Sequence, residues 1–384
     1  MNNGRKEYLS ELYSHIADEL NISETMMKKA ISSYSAVGNW LGECEPGLDV
    51  KIMPQGSFNL GTVIKPVSDK DDYDIDLVCV LKNGSYLMAA EIKNIVGDRL
   101  KQHETYGEML ADEGKRCWTL QYDEFHMDVL PAVPRNKVFI EPTETEIRLT
   151  HKMEDNNYED KYSNPYQYRI WFENSMRTVL DTEKRAFAIR NKVEISEVST
   201  NKVKTPLQKA IQLLKRHRDI MFEKHDSDDA PISIIITTLA TKAYSNETDL
   251  YDALCNIVKK MPQHIITDDE GKYHIDNPVM TDENFADKWN GNPKKVECFN
   301  KWMQSVTDDI INNPLTMFGT VEISKLMKKN FGENISNKAY NAVADKNRVA
   351  RESNSLYVDG LKGGVTLNQQ KNEQNIPEHT FYGK

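Results

Sequence analysis

Residues 73–81 read YDIDLVCVL, and the alternation within that stretch decides the fold. Side chains alternate across a β-strand, so Asp74 and Asp76 share one face with Cα atoms about 6.5–7 Å apart. Tyr73, Ile75, Leu77, Cys79 and Leu81 then form an apolar face suited to a core. Two carboxylates facing the same way at the start of a buried strand repel each other unless a cation lies between them. A hard divalent ion such as Mg2+ takes one or two protein carboxylates and completes its shell with water and substrate phosphates. DxD pairs are common, and the plain alternative is a solvated strand end, so the flanking sequence has to decide. Asp69, Asp71 and Asp72 just upstream read as solvated loop charges.

Upstream, PQGSFNLGTVIKP (54–66) places Gln55, Gly56 and Ser57 in a glycine-bearing turn after the short strand VKIM. There backbone N–H groups can approach phosphate oxygens closely, with the serine hydroxyl added. Downstream, FHMDVLP (125–131) reads as another strand, with Phe125, Met127 and Val129 on one side and His126 and Asp128 on the other. Asp128 is thus a candidate third carboxylate.

The order is a GS turn, a DxD strand whose first Asp lies 17 residues after the serine, and a single Asp 52 residues beyond Asp76. It resembles the polymerase-beta-type nucleotidyltransferase superfamily. The runs PQGSFNLGTVIKP, YDIDLVCVL, PLQKAIQLLKRHRD (206–219), PISIIITTLA (231–240) and NPVMTDENFADKW (277–289) together resemble its cGAS/DncV-like branch, the CD-NTases of bacterial anti-phage (CBASS) signalling. These are relatives of cyclic GMP-AMP synthase and oligoadenylate synthetase. The C-terminal HTFYG is also similar to that branch.

The resemblance implies an α+β fold: a polymerase-beta-like core of mixed sheet and helices, a C-terminal helical lobe, and an active site in the cleft between them. It implies that Asp74, Asp76 and Asp128 hold two Mg2+ ions, with Mn2+ as a substitute. One would lower the pKa of the attacking ribose hydroxyl and the other would hold the triphosphate and stabilise the leaving pyrophosphate. Asp128 is also a candidate acceptor of the hydroxyl proton. Gly56 and Ser57 would hold the β/γ phosphates, with Gln55 setting the turn, and the family's phosphate-binding lysine and serine fall on Lys215 and Ser233. The plain readings are a surface helix lysine and an N-cap after Pro231.

The implied activity is template-independent synthesis of a cyclic di- or trinucleotide second messenger from ATP, GTP or pyrimidine NTPs, releasing pyrophosphate, in anti-phage defence. The competing readings are a transferase acting on an RNA end or small acceptor, and an inactive nucleotide-binding module. The implied partners are the NTPs and regulatory proteins of the same defence system. One is a ubiquitin-transfer-like enzyme acting on the tail, although the last residue is Lys384 rather than glycine. An RNA activator is the less favoured partner.

The rest of the chain fits this frame. Its 384 residues carry 59 Asp+Glu against 49 Lys+Arg, a net charge of −10 that argues against a surface built to bind polynucleotides. Within it, residues 184–224 hold 11 Lys/Arg and 4 Asp/Glu, read as an electrostatic funnel for NTPs. The N-terminus has no apolar signal region, no stretch approaches the roughly 20 residues of a membrane span, and five scattered cysteines form no CxxC pair. A cytoplasmic protein with no membrane role is expected.

Residues 1–48 read as two helices packing along both lobes, with Leu9, Leu12, Tyr13, Ile16 and Leu20 at helical spacing and Ser23 capping the second. Residues 49–204 form the catalytic core, 205–362 the helical lobe opened by Thr205 and Pro206, and 363–384 a flexible tail. Polar, turn-rich sequence between 141 and 204 resists assignment. His264 and His274 near Asp268, Asp269 and Glu270 read as a loop rather than a metal site.

Overall fold

The computed structural model describes residues 3–43, 47–68, 72–197, 203–225, 227–317, 319–355, 357–359, 364–366 and 373–376. Two compact units interleave along the chain: residues 22–204 with 265–291 around a sheet, and residues 1–21, 205–264 and 292–384 in which helices dominate.

Helix α1 (Asn3–Leu20) belongs to the helical unit, and α2 (Glu24–Gly42) opens the sheet unit. Ser23 caps α2 by accepting from the Met26 N–H, satisfying one of the first-turn donors that have no intrahelical partner. There follow β1 (Val50–Gln55), α3 (Gly56–Leu60), β2 (Tyr73–Leu81), α4 (Ala89–Lys101), α5 (Glu104–Met109), β3 (Trp118–Gln121) and β4 (Phe125–Pro134). The strands β5 (Ile147–Lys152) and β6 (Tyr158–Ser163) and the helices α6 (Pro165–Ser175) and α7 (Arg177–Asn191) complete the run. The sheet order is β1-β2-β4-β5-β6, with β3 on the first half of β4. β2 and β4 run parallel and the other pairs are antiparallel.

The sheet faces two cores, which explains why β2 stops alternating. Tyr73, Ile75, Leu77, Cys79 and Leu81 pack into one core with residues of α2, α4, β3 and β4. On the opposite face Val78 and Val80 enter a second core with Met53, Leu130, Ala132, Ile147 and Leu149. Asp74 and Asp76 lie on that second face, at the end of the strand before the apolar cover begins.

Residues 265–291, which sequence spacing assigned to the helical lobe, join the sheet unit. Strand Ile266–Thr267 pairs with Tyr273–His274, and Asp276–Asn277 with Met280–Asn284. Glu283 accepts from Ser163 Oγ of β6 at 2.9 Å and from Asn277 Nδ2 at 2.8 Å. Asn284 Oδ1 accepts from the Ile275 and Ala286 N–H groups, so the DENFADKW run is a framework of satisfied polar groups. His274 pairs with Asp268 and Asp276 in the same segment.

The helical unit joins α1 to α8 (Pro206–Phe222), α9 (Ser233–Ala243), α10 (Leu250–Lys260), α11 (Pro293–Val306), α12 (Asn313–Thr316), α13 (Thr320–Phe331) and α14 (Glu333–Glu352). Thr205 and Gln208 make a reciprocal capping box ahead of α8. A π-helical turn, Thr307–Asn312, carries Asp309, whose carboxyl is held below its ordinary pKa by His217 and by the hydroxyl of Ser305. Of the stretch read as a flexible tail, Gly364–Thr366 and Glu373–Asn375 pair with Tyr357–Asp359, while residues 377–384, including HTFYGK, lie outside the described residues. Among the described residues no helix is long and apolar enough to cross a membrane.

Candidate active site

The sheet register places four polar side chains in one cross-strand row. Gln55 of β1 is the Cα partner of Asp76, Asp76 of Asp128, and Asp128 of Thr119 on β3. Residues directly opposite on neighbouring strands share a face, so Gln55, Asp76, Asp128 and Thr119 all point the same way. One step along, the register-paired residues are Met53, Val78 and Leu130, all in the second core. The sheet thus changes from polar to apolar at one level on all three strands, which holds the carboxylates at the rim of a packed core.

Gly56 has φ +65, and a Cβ built there would stand 2.0 Å from Asp76 Oδ2. Only glycine combines that backbone with so close an approach to the carboxylate. Ser57 follows in the first turn of α3, which Gln55 precedes without a side-chain cap bond. The Gln55 Oε1 atom is buried with no hydrogen-bond partner. An orphaned acceptor beside two carboxylates marks a place where a donor or a cation belongs.

Asp74 lies one step outward, with His126 as its register partner. Partial loss of its solvent shell, then the Asp128 charge and Asp72, raise the Asp74 pKa, and His126 opposes them. Asp72 is not the free loop charge that sequence suggested: it pairs with His126 Nε2 at 3.2 Å. Asp69 and Asp71 lie outside the described residues. Thr119 Oγ1 donates to Asp128 Oδ1 at 2.5 Å, and Cys117 Sγ lies 3.7 Å from the same hydroxyl. Burial and the Asp128 charge push the Cys117 thiol up to about 11, so it stays a neutral S–H.

These donors fit a hard cation. They are oxygens, they repel one another without one, and glycine at position 56 lets the backbone close against Asp76. Among the described residues no three Asp, Glu, His or Cys side chains meet closely enough to hold an ion unaided.

Lys215 and Ser233 belong to the helical unit. Lys215 is not a surface lysine: on α8 it is 4% exposed, beside the equally buried Arg216 and His217. Ser233 is the first residue of α9, whose N-cap is Ile232, so the capping role read for Ser233 is not the one it has. Instead its Oγ accepts from Arg218 at 3.3 Å, and Arg218 also donates to the Pro231 carbonyl. Arg218 stands three residues after Lys215, on the same side of α8.

Comparison with known proteins resolves the family. A c-di-GMP synthase from Roseivirga ehrenbergii is 30% identical over 390 residues, covering 98% of each chain. The family description "Cyclic GMP-AMP synthase DncV-like, nucleotidyltransferase domain" matches residues 50–131, the span from β1 to β4 that carries the row. The chain belongs to the cGAS/DncV-like nucleotidyltransferases. Its fold is similar to the CD-NTase CdnG of Bradyrhizobium diazoefficiens, solved with GTP, at TM-score 0.68 and 18% identity over 88% of this chain and 99% of that one. It is also similar to the Vibrio cholerae cyclic AMP-GMP synthase DncV, at TM-score 0.54 and 15% identity over 88% of each chain.

In this nucleotidyltransferase the structure brings together Gln55, Gly56, Ser57, Asp74, Asp76 and Asp128 on one unit, while Lys215 and Ser233 lie on the other. Sequence reading passed over Arg218, Thr119 and the Asp72–His126 pair. The spacing of Lys215 and Arg218 was a usable signal for the first, whereas Thr119 and Asp72 emerge only from strand register. Of the basic stretch 184–224, the residues up to Lys204 belong to the sheet unit and those from Thr205 to the helical unit, where Lys209 pairs with Asp18 and Arg218 with Asp219.

Proposed function

We propose that this cytoplasmic enzyme joins nucleoside triphosphates, GTP among them, into a cyclic di- or trinucleotide second messenger, with pyrophosphate released at each bond. The observation that carries this reading is the parallel pairing of β2 and β4, which sets Asp76 beside Asp128, with Gly56 closed against Asp76. The full-length likeness to a c-di-GMP synthase supports guanine as a substrate base. A role in anti-phage defence follows from the family, and regulation by partner proteins, including conjugation of the tail, is part of the same reading.

Asp74, Asp76 and Asp128 would hold two divalent ions, Mg2+ or Mn2+. When bound, such ions supply the positive charge that makes a ribose hydroxyl a better nucleophile and stabilises the departing pyrophosphate. The protein's own contribution is positional. Gly56 lets the backbone of the first α3 turn approach the carboxylates, and the N–H groups of that turn and Ser57 would suit the β/γ phosphates. Lys215 and Ser233 would contact the donor triphosphate, with Arg218 fixing the serine hydroxyl. Asp128 would accept the hydroxyl proton.

The test is incubation with mixed NTPs and Mg2+ or Mn2+, followed by phosphatase treatment and mass analysis. A phosphatase-resistant cyclic product containing guanine is expected. A linear tail on added RNA, or no product from folded protein in any mixture, would overturn the reading. Asp74→Asn and Asp76→Asn are expected to abolish synthesis and leave the melting temperature unchanged or higher, because each removes one of a set of mutually repelling carboxylates. A variant that keeps wild-type turnover would remove that aspartate from the ion-binding set.

A further inference from the structure

We propose that Thr119 is a positioning residue for Asp128: its hydroxyl holds one carboxylate oxygen so that the other is presented to a divalent ion. The inference rests on the assignment of Asp128 as an ion-binding carboxylate.

Register supports it first. Asp128 has Asp76 as partner on one side and Thr119 on the other, and register partners share a face, so the hydroxyl and both carboxylates lie along one line across the sheet. Donor chemistry supports it next. An ionised carboxylate only accepts, so in the 2.5 Å contact the proton comes from Thr119 Oγ1 and binds Asp128 Oδ1. With its own proton committed, the Thr119 oxygen can accept from the Cys117 S–H at 3.7 Å.

The strand that carries Thr119 is itself pinned. Lys93 of α4, fully buried, donates to the Gly114 carbonyl at 2.8 Å and the Cys117 carbonyl at 2.9 Å, directly ahead of β3. Its ammonium also lies 5.4 Å from the centre of the Trp118 ring, which donates in return to the Lys93 carbonyl. Thr119 is therefore offered to Asp128 from a backbone with little freedom to move. Groups that orient an ion's ligands commonly change affinity or activity by about 10–100-fold when removed.

The experiment compares Thr119→Val, which keeps the shape and loses the hydroxyl, with Thr119→Ser, which keeps the hydroxyl. Mn2+ binding is followed by electron paramagnetic resonance, with non-hydrolysable GTP and ATP analogues present. Melting temperature and the Mn2+ dependence of synthesis are measured on the same preparations. The expected result is Mn2+ binding about 10–100-fold weaker in the valine variant, near wild type in the serine variant, with melting unchanged in both. Wild-type Mn2+ binding in the valine variant overturns the proposal. So does an equal loss in both variants, or a loss that tracks a fall in melting temperature, since either assigns Thr119 to packing alone. Mn2+ binding needs no turnover, so the proposal can fail while wild-type protein still makes a cyclic product, and the functional reading can fail while the proposal stands.

Discussion

At Gly56 a single hydrogen atom separates the backbone from a collision with the Asp76 carboxylate. An added Cβ would fall 2.0 Å from Asp76 Oδ2, and the φ of +65 disfavours any L side chain by roughly 1–2 kcal/mol. The second effect is a modest stability loss, whereas the first displaces the reacting geometry by about an ångström, enough to cost on the order of 100-fold in rate. Gly56→Ala is therefore expected to lower turnover far more than it lowers the melting temperature. Steady-state synthesis beside a thermal melt checks this, and an alanine variant with wild-type turnover would show that Asp76 has room to shift. Gly56 and Asp76 were legible in sequence because glycine and the DxD spacing are local signals. The burial of Lys215 was not legible, since nothing in PLQKAIQLLKRHRD says that the lysine is 4% exposed.

Among the elements, β2 declared itself by alternation, and α2 and α8 by Ser23, Thr205 and Pro206 at their starts. The strand β6, YEDKYS, did not, because most of its side chains stay partly or fully exposed and its sequence carries no apolar period. What β6 has instead is a long-range partner: Ser163 donates to Glu283 from the 265–291 segment, 120 residues away. Such a contact cannot be read from a local window, so the sequence alone groups that segment with the helices around it. Burial, with a smaller push from the Asp287 charge, raises the Glu283 pKa, against the opposing bonds from Asn277 and Ser163. The folded chain therefore holds this proton to higher pH than the unfolded chain. Its contribution to stability falls as pH rises from the ordinary glutamate value, about 4.3, through the raised folded value. Glu283→Gln keeps an oxygen that can accept both hydrogen bonds and removes the charge. The variant is expected to gain stability relative to wild type as pH rises from about 4 to 8, and melting curves that stay parallel across that range would exclude the effect.

For the whole molecule, the decisive feature is that neither unit is a continuous piece of chain. The helical unit needs residues 1–21, separated in sequence from the rest of it by the entire stretch 22–204. Helix α1 buries Leu9, Leu12, Ile16 and Leu20 completely, and the Tyr13 hydroxyl donates to the Ile310 carbonyl at 2.8 Å within the same unit. At about 1.5–3 kcal/mol for each fully buried Leu or Ile, those four side chains contribute roughly 6–12 kcal/mol before entropy is counted. A typical domain's net stability is about 5–15 kcal/mol, so the loss is of the same size as the total. Removing residues 1–21 is therefore expected to unfold the helical unit rather than loosen it. The sheet unit, whose two cores include no residue of α1, is expected to keep its structure. Limited proteolysis of the 22–384 chain separates the outcomes: rapid cleavage within 205–264 and 292–355 with a surviving core from 22–204 is expected. Uniform resistance matching the full chain would show that α8, α10 and α14 close over the vacated groove without α1.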